Sequence, residues 1–516
     1  MLLINSSSKD TLKIFQSFFP VTVPMGVGCL IAAAEKEGIK ISFIDEQVEG
    51  DMLSEVRNKV ACMEKPYIFG FSVVTAGLKS SLVLSRELKR LYPGSVVVFG
   101  GVHPTAMPDE VLSYGHIDIV VRGEGEEAIV EIYKCIKAGE DFSHIGNISY
   151  RRDGEVVHNK KDFLLYDIDS YPPFPYHIFS PDKYDLGFVM SSRGCPYKCI
   201  FCSNRVTTAL KYRYSSTEAI VNVLDLLHHQ YGKTHIGFLD DNFLVNKDRV
   251  YKLVDDIRKK GWHKKMTFSF QARGDNVDPS ILKALYDTGF NSIFFGLETA
   301  SEKIMKTIKK GETVAQCISA VEMAKKIGFQ VSATFIYGLP GDTHEDRMDC
   351  VKLSKKLKLD MVRFNNATPY PGTELYEIAK IENRLNIQGV YENFVSVSTF
   401  IENPLRPIPF TYIPVGNTEA QIRRDLLFSY FSFYLDIEKI KSIFARPDKN
   451  LGWFNAGEKF SKTIKKLPAL GLLGIMFLLK FAQLFYYTVI KKETRISFQH
   501  FLKIFDGLRL RGRLAG

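Results

Sequence analysis

Short apolar runs alternate with stretches of helical spacing through the first 150 residues. LLIN (2–5), ISFID (41–45), YIFGFSVV (67–74), VVVFGG (96–101) and DIVVRG (118–123) are brief and rich in β-branched or aromatic residues. Each ends in, or just before, glycine or a small polar residue, which predicts buried strands. GVGCLIAAAEKEG (26–38), LKSSLVLSRELKRLYPG (78–94) and EEAIVEIYKCIKAG (126–139) carry helical spacing between them. Strand–helix alternation predicts an α/β domain over 1–145, a doubly wound, Rossmann-like parallel sheet. Such sheets bind ligands at the carboxyl ends of their strands, where the Gly-rich turns GGVHPT (100–105) and GEGE (123–126) fall.

A linker is expected over 146–180. YRRDGEVVHNK (150–160) reads as a small hairpin turning at Asp153-Gly154, and DIDSYPPFPYHIF (167–179) as an extended Pro-rich stretch. Alternation then resumes. LGFVMSS (186–192), HIGFLDD (235–241), MTFSFQAR (266–273), SIFFGLE (292–298), QVSATFIYG (330–338) and MVRFNNAT (361–368) are strands. Helices over 217–232, 247–261, 279–289 and 314–328 separate several of them. Six such units predict a partial (β/α)6 barrel over 181–390, with its chemistry at the C-terminal strand ends. From 391 to 516 the pattern becomes mainly helical. It includes an aromatic-rich helix over 419–444 and an apolar stretch, 466–492, interrupted by Lys480.

Composition is ordinary for a globular chain: 45 % hydrophobic and 24 % charged. At 516 residues it calls for several domains. The net charge of +10 sits in the tail, since Lys439 to Gly516 holds 16 basic and four acidic residues. The rest holds 52 and 54, which disfavours a whole-protein nucleic-acid surface. Eight cysteines are too few for a disulfide scaffold, and MLLINSSSKDTLK lacks a signal-peptide pattern. A cytoplasmic, reducing compartment is expected.

The sharpest chemical signal is RGCPYKCIFC, in which Cys195, Cys199 and Cys202 stand as C-x3-C-x2-C at the end of the first barrel strand. Three thiolates cannot complete a structural zinc site without a distant fourth ligand. They can hold three irons of a 4Fe-4S cube and leave the fourth open. A zinc loop and three unrelated cysteines are the alternatives. Isolated Cys29, Cys62, Cys135, Cys317 and Cys350 read as small buried hydrophobes.

With Phe201 just before the last cysteine, this motif resembles the radical S-adenosylmethionine (SAM) superfamily. The resemblance implies that Cys195, Cys199 and Cys202 ligate a 4Fe-4S cluster whose open iron chelates SAM. One electron then cleaves the sulfonium to methionine and a 5′-deoxyadenosyl radical. It further implies that Phe201 lies against the adenine and that Asp240 or Asp241 replaces the family's Gly-Gly-Glu-like turn. Arg273 and Glu298 would bind SAM's carboxylate, ribose or amino group, with Gly338 and Pro340 near the adenine. Plain structural alternatives stand beside these: helix N-caps for Asp240 and Asp241, an ion pair with Asp275 for Arg273, a turn for Gly338.

Together with this domain, the N-terminal half resembles the cobalamin-binding domain of cobalamin-dependent radical SAM proteins, the class that includes anaerobic magnesium-protoporphyrin ester cyclase. The matching residues are Pro24 and Gly26, Ser72 and Thr75 in FSVVT, Gly100, Gly101 and His103, and Gly123, Glu124 and Gly125. The D-x-H-x-x-G motif is absent, so no cobalt-ligating histidine is expected from this domain, and His103 reads as a loop contact.

The resemblance, over residues 1–375, implies an enzyme using a 4Fe-4S cluster, SAM, cobalamin and an external flavodoxin- or ferredoxin-type electron donor. The favoured activity is methylation of an unactivated carbon of a hydrophobic small molecule. The first alternative uses the same cofactors for oxidative cyclisation, oxidation or C–C coupling. The second is an RNA-modifying methylthiotransferase-like enzyme, disfavoured because no second cysteine triad is present; no nucleic-acid partner is expected. The basic neighbours of the tail (Lys465, Lys466, Lys491, Lys492, Arg495, Arg509, Arg511, Arg513) suit peripheral contact with an anionic inner membrane face and a lipid-like substrate. The alternatives are a buried helix and a true span.

Overall fold

In the computed structural model the chain is described over residues 1–6, 21–160, 167–397, 399, 402–439, 441 and 474–490. The first domain runs β1 (Leu2–Asn5), α1 (Met25–Lys36), β2 (Ser42–Asp45), α2 (Met52–Val60), β3 (Ile68–Ser72), α3 (Leu78–Leu91), β4 (Val96–Gly100), β5 (Ile119–Val121) and α4 (Glu126–Ala138). The strands pair in parallel in the order β2-β1-β3-β4-β5, so the winding reverses between β1 and β3. Alternate side chains face opposite ways. Ile4, Phe69, Phe71 and Phe99 pack with Val56, Leu78 and Leu82, while Leu3, Ile68, Val98 and Ile119 pack with Val27, Ile31 and Ile132.

The hairpin assigned to a linker instead belongs to this sheet. β6 (Ile148–Arg152) and β7 (Glu155–His158) add antiparallel to β5, making the sheet mixed. Asp153 and Gly154 both take positive φ at its turn. Without the hairpin β5 would be a bare edge, and Ile148 and Tyr150 bury with the core beneath it. The Pro-rich stretch then docks on α1. A Cβ on Gly28 would lie 2.0 Å from the Phe174 ring, so glycine is required at that contact.

The second domain runs β8 (Phe188–Val189), α5 (Thr217–Tyr231), β9 (His235–Phe238), α6 (Lys247–Lys259), β10 (Thr267–Ala272), α7 (Pro279–Tyr286), β11 (Phe290–Glu298), α8 (Val314–Ile327), β12 (Gln330–Tyr337), α9 (His344–Lys356) and β13 (Met361–Asn366). All six strands are parallel and in sequence order, an open partial barrel. Ser216, Asn246, Asp278, Thr313 and Thr343 cap their helices by accepting from backbone N–H groups. Ile236, Phe268, Phe270, Ile293, Phe295, Val331, Phe335, Val362 and Phe364 are buried in the core shared with the helices.

Two local expectations fail. The first barrel strand stops at Val189; Ser192–Arg193 turns away to pair antiparallel with Arg213–Tyr214. Residues 402–418 are irregular rather than helical, apart from one bridge between Tyr412 and Leu385. The aromatic-rich helix, α10 (Glu419–Tyr434), breaks at 435–436, 437–439 and 441 are helical again, and 440 and 442–444 lie outside the described residues. α10 lies along the open edge of the barrel. The Tyr434 hydroxyl accepts from Val362 N (3.2 Å) and donates to Val362 O (2.8 Å); Tyr430 does the same for Phe364 at 3.1 and 3.0 Å.

Of the apolar tail, 474–490 is described, and it is helical. Lys480, which looked like an interruption, is buried: its Nζ donates to Thr399 O (2.5 Å) and lies 3.7 Å from Glu402. Phe481 and Leu484 pack with Leu427 and Phe431 of α10, while Ile475, Leu478, Phe485 and Tyr486 are exposed. Among the described residues no helix is long and apolar enough to cross a membrane. Lys465, Lys466, Lys491, Lys492, Arg495, Arg509, Arg511 and Arg513 lie outside the described residues.

Candidate functional site

The cysteine loop follows Gly194, whose φ of +83° and position 2.1 Å (from an added Cβ) to Lys211 O admit only glycine. The loop is held on several sides. Tyr197 lies under the Arg273 guanidinium, 3.5 Å from ring centroid to Cζ, and its hydroxyl accepts from Asn276 Nδ2 (2.8 Å). Ile200 donates to Ile308 O and accepts from Leu375 N, at 3.1 and 2.9 Å.

Cys195, Cys199 and Cys202 are free thiols, and burial raises the pKa of each. Their proximity adds to this: Cys199 raises Cys195, and both raise Cys202, which reaches about 11. Lys310 and Arg273 pull the other way at Cys199. Loading iron here displaces protons, and the two cations offset the thiolate charge that results. Among the described residues no three donors form a single-ion site. Three thiolates on one loop suit a cube in which each meets its own iron. Of the other cysteines, Cys135, Cys317 and Cys350 are buried, while Cys62 is exposed.

The two neighbouring aspartates divide their work. Asp240 is fully buried; it accepts from Ser191 N (2.7 Å), Ser191 Oγ (2.6 Å) and Ser192 N (3.1 Å), and pairs with Arg249 at 3.3 Å. These contacts hold the turn before the cysteines. Asp241 faces the cavity described below, hydrogen-bonded by Asn204 and by the Gly194 amide. Surrounding protein raises its pKa.

Arg273 is likewise held: Nε and Nη2 each donate to Asp275 at 2.9 Å, the ion pair weighed as its alternative. Glu298, at φ +60°, is buried with its Oε1 2.8 Å from Lys310 Nζ. Its Oε2 is buried without a hydrogen-bond partner. Glu312 lies 3.5 Å from the same ammonium, and the two carboxylates overcome burial to push the Lys310 pKa up. An orphaned buried carboxylate oxygen is costly unless a ligand answers it. Glu298 therefore fits an ammonium or hydroxyl of a bound cosubstrate. Gly338 (φ +82°) sits beneath Ile422 of α10 and donates to Asp342 at 2.6 Å, so it is a turn glycine, and neither it nor Pro340 lines the cavity. Phe201 is half-buried against the barrel core.

A cavity of about 360 Å³ lies between the carboxyl ends of the first sheet and the turns around the cysteine loop. The first domain supplies Gly26, Ser72, Gly100, Gly101, Gly123, Glu124 and Gly125; the second supplies Met190, Arg193, Gly194, Asn204 and Asp241. A Cβ on Gly26 would meet nothing within 4 Å, and one on Gly101 would strike Val73 O at 2.7 Å. Glycines at the strand ends open the cavity between apolar side chains such as Leu30, Val98 and Ile129, which fits the nucleotide end of a corrinoid. At its wall Arg193 meets Glu126 (2.5 Å) and Glu124 (3.5 Å), and Arg213 meets Glu124 (2.6 Å), tying the domains together.

Pro24, Thr75 and His103 do not line the cavity. His103 is buried, 3.3 Å from Thr75 Oγ1 and against the Tyr391 ring, and burial lowers its pKa to about 4. Its Nε2 is buried without a hydrogen-bond partner. Sequence reasoning missed Tyr197, Asn276, Lys310, Glu312 and Arg193. Arg193 and Tyr197 stood within the quoted motif, and the charged run 309–312 held Lys310 and Glu312.

A model of the radical SAM superfamily matches residues 189–354, and one of the B12 binding domain matches 13–133. An uncharacterized methyltransferase of Pyrococcus horikoshii is 32 % identical over 80 % of this chain and 88 % of its own length. The anaerobic magnesium-protoporphyrin IX monomethyl ester cyclase of Cereibacter sphaeroides is 23 % identical over 83 % and 69 %. The cobalamin-dependent S-adenosylmethionine radical enzyme OxsB, solved with aqua-cobalamin bound, has the same fold. It has a TM-score of 0.68 at 17 % identity, covering 98 % of this chain and 75 % of that one.

Proposed function

Because the chain belongs to the radical SAM superfamily and carries a B12-binding domain ahead of the barrel, we propose that it is a cobalamin-dependent methyltransferase acting on an unactivated carbon. The observation that carries this reading is the shared cavity, where the strand-end glycines and Asp241, beside the cysteine loop, face one space. When bound, the cluster and SAM supply a hydrogen-abstracting radical, and the corrinoid supplies the methyl group.

The chain's own residues do the rest. Cys195, Cys199 and Cys202 hold the cluster, and Lys310 and Arg273 offset its charge. Glu298 Oε2 and Asp241 receive polar groups of SAM. The glycines at 26, 100, 101, 123 and 125 admit the corrinoid's nucleotide end. An external flavodoxin- or ferredoxin-type protein delivers the electron. The similarity to the cyclase supports a second reading, oxidative ring formation with the same cofactors.

Anaerobic reconstitution with iron, sulfide and cobalamin, then incubation with SAM and reductant, separates these readings. Methyl transfer yields both 5′-deoxyadenosine and S-adenosylhomocysteine, whereas cyclisation yields deoxyadenosine alone. Failure of both products rejects the proposal.

The exposed row Ile475, Leu478, Phe485 and Tyr486 supports a peripheral seat on an anionic inner membrane surface and a substrate with an apolar body. Sedimentation with vesicles containing anionic lipid checks it. Equal recovery with neutral vesicles, or none with either, counts against it.

A further inference from the structure

The barrel sheet has two unlike faces. In parallel register Gln271, Phe294 and Ser332 lie side by side, Thr334 pairs with Arg363, and Ile336 with Asn365. Paired residues share a face. This face is half-buried or exposed throughout, while the residues between are buried under the helices. It is therefore the concave lumen at whose upper end the cysteine loop stands. Its lining is polar or small for the most part, and the Glu298 carboxylate, which lies over Gly296 in the row of Thr334 and Arg363, is paired with Lys310.

Arg363 is the cation of these rows. Its guanidinium lies over the Phe294 ring, 5.5 Å from the centroid. Among the described residues it makes no hydrogen bond or ion pair, unlike Arg193, Arg213, Arg249, Arg273, Arg347 and Arg423, each of which meets a carboxylate. One step up the same strand, Asn365 donates to Thr334 Oγ1 (3.3 Å), and its Oδ1 is buried without a partner. That orphaned acceptor calls for a donor on the ligand, whereas the Arg363 guanidinium, a fork of donors met by no carboxylate and steadied by an aromatic ring, matches a planar or tetrahedral oxyanion.

We propose that Arg363 binds an anionic group of the substrate, a carboxylate or a phosphate, so that the molecule modified is an acid. This rests on the lumen being the substrate chamber of the proposed methyltransferase. The acid would be bound at the wall while its reacting carbon points toward the cysteine loop.

The test titrates the full-length, anaerobically reconstituted protein with inorganic phosphate and with benzoate by calorimetry, the two arms distinguishing the anion. Saturable binding of at least one is expected, weakened at least about tenfold in Arg363→Gln and partly restored in Arg363→Lys. Circular dichroism confirms that the variants are folded. Binding of neither anion, or undiminished binding of both by Arg363→Gln, overturns the proposal. So does a parallel loss of SAM affinity, which would assign Arg363 to the cosubstrate. Wild-type deoxyadenosine formation is measured separately, so failure of the enzymatic reading is visible even when the anion binds.

Discussion

At the scale of single residues, Asp240 and Asp241 show how much one step along a chain can change. Asp240 is enclosed and accepts from two amides, a hydroxyl and Arg249. Removing its charge leaves that buried guanidinium uncompensated, so Asp240→Asn should lose about 3 kcal/mol in urea denaturation. Asp241→Asn should leave stability within about 0.5 kcal/mol while weakening SAM affinity in equilibrium dialysis. The sequence offered both as equals because neighbours in a turn share composition and context; only their burial differs. Arg273 was ambiguous for the same reason, since Asp275 two positions on was visible but the stacking on Tyr197 was not. The thiol triad was legible because its spacing is local. Lys310 was not, because its meaning comes from Glu298 twelve residues earlier on another element.

At the scale of elements, helices and strands with clear periodicity and side-chain caps follow from the chain itself. The irregular stretch 402–418 does not, since its path is set by contacts such as Glu402 with Arg423. The tail helix is the instructive case. Burial holds the Lys480 pKa down at about 8, with Glu402 only partly offsetting it. Between about pH 8 and the unperturbed 10.4 or so, the undocked state binds more protons, so docking strengthens as pH rises, by up to about 3 kcal/mol. Below pH 8 the full cost of charging persists. Hydrogen exchange of 474–490, corrected for base catalysis, should show protection growing over that window, and Lys480→Met should abolish the dependence. The tyrosines of α10 make a second element-level prediction. Tyr430→Phe and Tyr434→Phe remove hydroxyls that answer four backbone groups of β13. Each should cost about 1–3 kcal/mol in thermal unfolding.

Across the whole molecule the decisive contact is the ionic seam at the cavity wall. Glu124 balances the buried Arg213 and the half-buried Arg193 of the second domain, so Glu124→Gln should loosen the two domains. Scanning calorimetry should resolve one transition into two, with cobalamin retention falling, whereas the exposed Glu127→Gln should change neither. The α/β architecture was legible, but the seam was not, because it joins residues 67 to 89 positions apart. The sealed barrel edge has a further consequence, for inheritance. Four helical residues advance about 6 Å and two strand residues about 6.6 Å, so hydroxyls at positions 430 and 434 reach backbone at 362 and 364 with almost no mismatch. A foreign C-terminal segment spliced onto this barrel by recombination would have to arrive with the same ruler. Diversification of that segment is thereby confined to the outward side of the helix, where new partners can be acquired without unzipping the sheet.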